Sequence, residues 1–180
     1  MRNKLFRLLL AVVALLAMAG CSEDTAAKRK ENVFADTAWI GESDQSYWTF
    51  SANKEFYWYQ TKDNQEDNYY AGSYDVKLGR EAIDYVTKDL KEYGVTEEEI
   101  DQLLKSNAET GGAEIFNEDG FICFTCTTTS FMLEGEEQLK QPMIIPYYGF
   151  YYEDAATGEA YFNVVNMQNG ANFQFSREGK

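Results

Sequence analysis

The chain has 180 residues, 16 of them basic and 30 acidic, for a formal net charge of −14. So acidic a surface repels phosphate backbones, which argues against nucleic acid as a partner, and it gives no polybasic help toward anionic lipid. Histidine is absent, which removes Ser-His-Asp and Cys-His catalysis and the commonest metal ligand together, and no other catalytic, metal or cofactor constellation stands out.

The chain opens as an export leader. Arg2, Lys4 and Arg7 form a positive n-region, and Leu8 to Ala19 is an unbroken apolar run of 12 residues. A membrane-spanning helix needs about 20 residues, whereas this run has the length and charge order of a secretory h-region. It closes on Met18-Ala19-Gly20-Cys21. That stretch resembles the lipobox of bacterial lipoproteins, with Met18 where Leu is usual. The resemblance implies cleavage after Gly20 and a diacylglyceryl thioether on Cys21. The mature chain would then be anchored to a membrane on its extracytoplasmic side, with no transmembrane helix. Residues 1–20 are read as signal peptide and 21–36 as a lipidated flexible tether, because the latter are polar and lack periodicity. The folded domain is expected over 37–180.

The domain reads as mainly β. Its 3 Trp, 13 Tyr and 12 Phe lie mostly in short alternating segments. Strands are predicted at Thr37–Gly41, Ser46–Phe50, Glu55–Gln60 and Tyr69–Leu78, with a polar loop at Thr61–Asn68. Asn53, which tolerates the left-handed conformation, marks the first hairpin. Gly72 marks a bulge or a close approach of backbone. Ile83, Val86, Leu90 and Tyr93 then recur on one helical face and end at Gly94, a C′ residue. Thr96-Glu97-Glu98-Glu99 reads as a capping box opening a second helix. The spacing predicts a helical hairpin over about Arg80–Ser106.

Further strands are predicted at Glu114–Phe116, Phe121–Leu133, Met143–Tyr152, Ala160–Met167 and Ala171–Arg177, with a polar connection at Gly135–Gln141. Asn169-Gly170 is the strongest hairpin signal. The total is eight or nine strands, mostly antiparallel. Aromatics on both faces of several strands suit a closed barrel, or a sandwich with helices packed outside. On Thr37-Ala-Trp39-Ile-Gly41, Gly72-Ser-Tyr74-Asp-Val76 and the closing hairpin Val164–Met167 with Phe173–Phe175, the domain resembles the calycin or lipocalin-like superfamily. It departs in carrying its helices between strands. The resemblance implies a single antiparallel barrel with an interior site, and it transfers no ligand residues. On the lipobox and Tyr93–Glu99, the chain is also similar to uncharacterised small lipoproteins of Gram-positive bacteria.

The chemistry is sparse. Cys123-Phe-Thr-Cys126 has the spacing of a redox pair, but in an extended strand its Cα atoms would lie about 10 Å apart, against roughly 7 Å for a disulfide. The thiols would face opposite sides of the sheet. Asp63, Gln65 and Asp67 resemble a calcium loop, yet Asn68 stands where Gly is needed and Tyr74 where Glu is needed. Trp48, Phe50, Phe56, Tyr57 and Trp58 offer stacking surfaces for an apolar or sugar ligand. The expectation is a non-enzymatic, membrane-anchored lipoprotein that binds a small hydrophobic ligand or an envelope partner. A thiol redox lipoprotein using Cys123 and Cys126 is one alternative. A structural or inhibitory interaction module is the other.

Overall fold

The computed structural model describes residues 32–109, 112 and 115–179. Gly20, Cys21 and the expected leader lie outside the described residues. Nine strands run β1 Thr37–Gly41, β2 Tyr47–Phe50, β3 Glu55–Thr61, β4 Asn64–Leu78, β5 Phe121–Leu133, β6 Glu136–Glu137, β7 Met143–Glu153, β8 Ala160–Asn166 and β9 Asn172–Arg177. Every pairing is antiparallel. Eight of the strands, in the order β1-β2-β3-β4-β5-β7-β8-β9, close through β1 and β9 into a barrel, and β6 is an extra strand on β5. The expected single antiparallel barrel is therefore the architecture of the chain.

Alternation decides what lies inside. Trp39, Trp48 and Trp58 are cross-strand partners on one inward row, as are Phe50, Phe56 and Gly72 on the next. The β4–β5 pairing passes Gly72 closely: a Cβ there would stand 2.0 Å from the Thr127 carbonyl oxygen, and the register shifts between Ala71 and Gly72. Only glycine fits such a contact.

The core begins earlier than the sequence suggested. Val33 and Phe34, in the segment read as tether, are buried, and Phe34 has no exposed surface. Its ring meets Trp39, Phe50, Tyr74, Phe124 and Phe162, with centroids 4.6–6.2 Å away. Phe34 thus plugs the end of the barrel where β1 starts. Asn32 tightens the plug by donating to the Tyr74 hydroxyl at 2.9 Å, and that hydroxyl donates to the Ser51 carbonyl at 2.8 Å.

The helical insertion follows β4. Helix α1, Gly79–Asp84, continues into a π-helical turn at Tyr85–Asp89 and a 3-10 turn at Lys91–Tyr93. Gly94, at φ 78°, ends this run. Helix α2, Glu97–Glu109, opens with the expected capping box: the Thr96 amide donates to Glu99 Oε2 at 3.0 Å and the Glu99 amide to Thr96 Oγ1 at 3.2 Å. Ala82, Ile83, Val86 and Ile100 are buried, as are Phe121, Cys123, Tyr148 and Phe150 on the outward face of β5 and β7. Helix α1 packs on β4 and β5. A second apolar layer therefore lies outside the barrel wall, and this is how strands with aromatics on both faces keep both out of water.

Four local expectations need correction. The predicted loop Thr61–Asn68 is largely strand, turning only at Lys62-Asp63, because a ribbon exposed on both faces needs no apolar alternation. The left-handed residue in the β2–β3 turn is Lys54 (φ 65°) and not Asn53. In the β8–β9 turn Gly170 alone is left-handed (φ 73°), so this loop is longer than a two-residue Asn-Gly turn. The two-residue turn with two left-handed positions is instead Glu134-Gly135, between β5 and β6. Of the short strand expected at Glu114–Phe116, Ile115 and Phe116 are turn and bend, and Glu114 lies outside the described residues.

Candidate functional site: the open end of the barrel

Strand direction separates the two ends. Phe34 fills the end where β1 starts. The opposite end carries the β3–β4, β5–β6 and β8–β9 turns. Just inside it, Trp58 of β3, Tyr70 of β4, Phe131 of β5, Ile145 of β7 and Phe173 of β9 are half-buried. Trp58, Tyr70, Ile145 and Phe173 pack on the core cluster. Cross-strand register brings the first three together: Trp58 pairs with Tyr70, and Tyr70 with Phe131. The Tyr70 and Phe131 rings stack at 4.2 Å and 4°, and Trp58 meets Tyr70 edge-on at 5.3 Å.

Below this ring lie Trp48 and Tyr147, with centroids 5.9 Å apart and planes at 86°. Tyr147 also meets Phe173 at 6.2 Å. Two inward polar side chains, Thr128 of β5 and Asn166 of β8, are also buried, and Asn166 is the cross-strand partner of Tyr147. Asn166 Oδ1 accepts from the Gln168 amide at 2.9 Å, and its side chain also bonds to the Tyr147 hydroxyl. Burial pushes the Tyr147 phenol well above its ordinary range, with the Asn166 bond opposing. This group, half-buried apolar side chains at the barrel end over buried neutral hydrogen-bonding groups, is called the cup.

The five aromatics singled out from the sequence separate in three dimensions. Trp48 and Trp58 belong to the cup. Phe50 and Phe56 point inward nearer the plugged end, each 2 % exposed, and are packing residues. Tyr57 is on the outer wall and 40 % exposed, beside Tyr59 and Tyr69. Tyr70, Phe131, Ile145 and Phe173 escaped the sequence reading because four separate strands contribute them. The signal was present as an inward apolar residue near the same end of each strand.

The two cysteines are arranged unlike a redox pair. Both are free and buried. Cys126 points into the barrel with Tyr74, and Cys123 points outward under the helical layer, opposite Lys77. Burial pushes the Cys123 thiol up to about 12 and Cys126 well above its ordinary value. The thiolate is the nucleophile in exchange chemistry, so both side chains behave as small apolar groups. Asp63 sits in the β3–β4 turn and Gln65 and Asp67 on β4. Among the described residues, no three His, Cys, Asp or Glu side chains are grouped to hold a metal ion.

Comparison with known proteins finds no matching family model, no matching curated protein and no matching solved structure.

Proposed function

We propose that this protein is a non-enzymatic, extracytoplasmic lipoprotein, held to a membrane through Cys21, whose barrel binds a small hydrophobic ligand at its open end. The observation that carries the binding role is the ring of five half-buried apolar side chains, each from a different strand, at the end opposite the Phe34 plug. Half-exposed aromatics gathered above buried neutral polar groups are the usual lining of a small-molecule site. The anchoring role is supported by Met18-Ala19-Gly20-Cys21 after an h-region of secretory length.

One observation favours a second reading. Phe34 and the rings around it fill the body of the barrel, so a ligand does not pass through it, and a filled barrel also suits an interaction module that docks a protein partner. Native mass spectrometry of the full chain, purified from its own envelope extract, separates the two. A discrete adduct that leaves on denaturation is the expected result, and its mass identifies the ligand's size. A bare protein mass overturns the small-ligand reading and leaves the interaction module.

A further inference from the structure

The structure holds three tryptophans in very different states. Trp39 Nε1 donates to Thr37 Oγ1 at 2.8 Å. Trp58 is half-buried at the cup's rim. Trp48 is only 7 % exposed, yet its Nε1 has no hydrogen-bond partner. A buried donor without an acceptor is costly in free energy, and buried indole N–H groups usually find a partner. The rings nearest Trp48 are Phe50, Phe56, Phe124, Tyr147 and Phe175, which offer carbon faces and one phenol.

Resting on the open-end reading above, we propose that the ligand is a neutral, planar, apolar molecule carrying a carbonyl-type oxygen, and that the Trp48 indole N–H is the donor that receives it. Trp48 is the cross-strand partner of Trp58, so the orphan donor belongs to the strand pair that builds the cup. A second donor stands beside it. The Asn166 carboxamide has its oxygen on the Gln168 amide, which leaves its nitrogen for the Tyr147 oxygen and the Tyr147 hydroxyl hydrogen for a ligand. The side chains assigned to the cup are all uncharged, and the chain's net charge is −14. An anionic ligand would therefore meet no counter-charge in the cup, and its acceptor would be poorly compensated. A neutral carbonyl matches a neutral N–H. The flat faces of the Tyr70–Phe131 stack and of Trp58 select a planar body.

Coumarin and naphthalene test this as probes. Both are neutral, planar two-ring molecules, and only coumarin carries a carbonyl acceptor. The full chain, labelled with ¹⁵N in its three indoles, is titrated with each and followed by proton–nitrogen correlation spectra. The expected result is binding of both, with coumarin about tenfold tighter, the worth of one neutral hydrogen bond. The Trp48 indole proton moves downfield with coumarin alone, while Trp58 responds to both. In Trp48→Phe the preference for coumarin over naphthalene disappears. Equal affinities with a stationary Trp48 indole proton overturn the acceptor proposal while leaving the cup intact. Spectra in which Trp58 responds to neither probe overturn the cup reading and this proposal together. Should the variant fail to fold, the wild-type indole shifts decide alone.

Discussion

Phe34 touches rings contributed by β1, β2, β4, β5 and β8. A side chain with walls on so many sides leaves a hole that no single strand can close when it is lost. Phe34→Ala is expected to lower stability by about 3–5 kcal/mol, read from the midpoint of urea unfolding with an unchanged slope. A loss below roughly 1 kcal/mol would mean that the plug is not part of the cooperative core. Nothing in the local pattern of Glu31-Asn-Val-Phe-Ala-Asp36 announces this, because two apolar residues in a polar stretch have no period. Gly72 was legible for the opposite reason: glycine inside an otherwise regular strand has few uses, and close backbone approach is one. Trp48 and Trp58 were legible as inward aromatics. The orphaned state of Trp48 Nε1 was not, since it depends on which rings from β3, β5, β7 and β9 surround it.

At the scale of elements, the helical insertion covers the outer wall of the barrel at β4 and β5. Its capping box and its Gly94 stop were written in the sequence, and its apolar stripe required a surface to cover. The π-helical turn was not legible: the Leu90 amide bonds the Tyr85 carbonyl at 3.0 Å, one residue further back than a regular helix allows. The same layer seals Cys123, while the barrel wall seals Cys126, and this gives a readout of each layer's opening. In a Cys21→Ser chain, neither thiol is expected to react with a disulfide reagent in the native state, and both react in denaturant. As denaturant rises, Cys123 is exposed with the helical layer no later than Cys126 is with the barrel. Reaction of Cys126 before Cys123 would show that the helices hold tighter than the barrel they cover. Below the raised thiol values the protonated forms dominate, so the native protection extends through neutral pH and weakens only on the alkaline side.

For the molecule as a whole, the barrel was readable because hairpin signals occur between nearly every pair of strands and because aromatics fall on both faces. Closure itself, β1 against β9, is a pairing between residues such as Trp39 and Arg177 that no local signal specifies. The cup was half readable: Trp48 of β2 and Trp58 of β3 stood among the candidate aromatics, whereas Tyr70, Phe131, Ile145 and Phe173 come singly from four other strands. The proposed membrane attachment is a separate matter that rests on Cys21. In Cys21→Ala the protein is expected to leave washed membranes and appear in the soluble fraction, because a barrel of this charge offers anionic lipid no electrostatic hold. Persistence in the membrane fraction would assign anchoring to another part of the chain.

The closed ring also settles how copies of this domain meet one another when crowded on a surface. Strand edges are templates for intermolecular sheet growth. Closure pairs the main barrel strands along much of their length, and among the stretches left paired on one side only are the ribbon end, Asn64-Gln-Glu-Asp67, and the two-residue strand Glu136-Glu137. Each of these ends carries two carboxylates, Glu66 with Asp67 and Glu136 with Glu137, so edges brought together would set like charges opposite each other. Sheet growth through these two edges is thereby opposed.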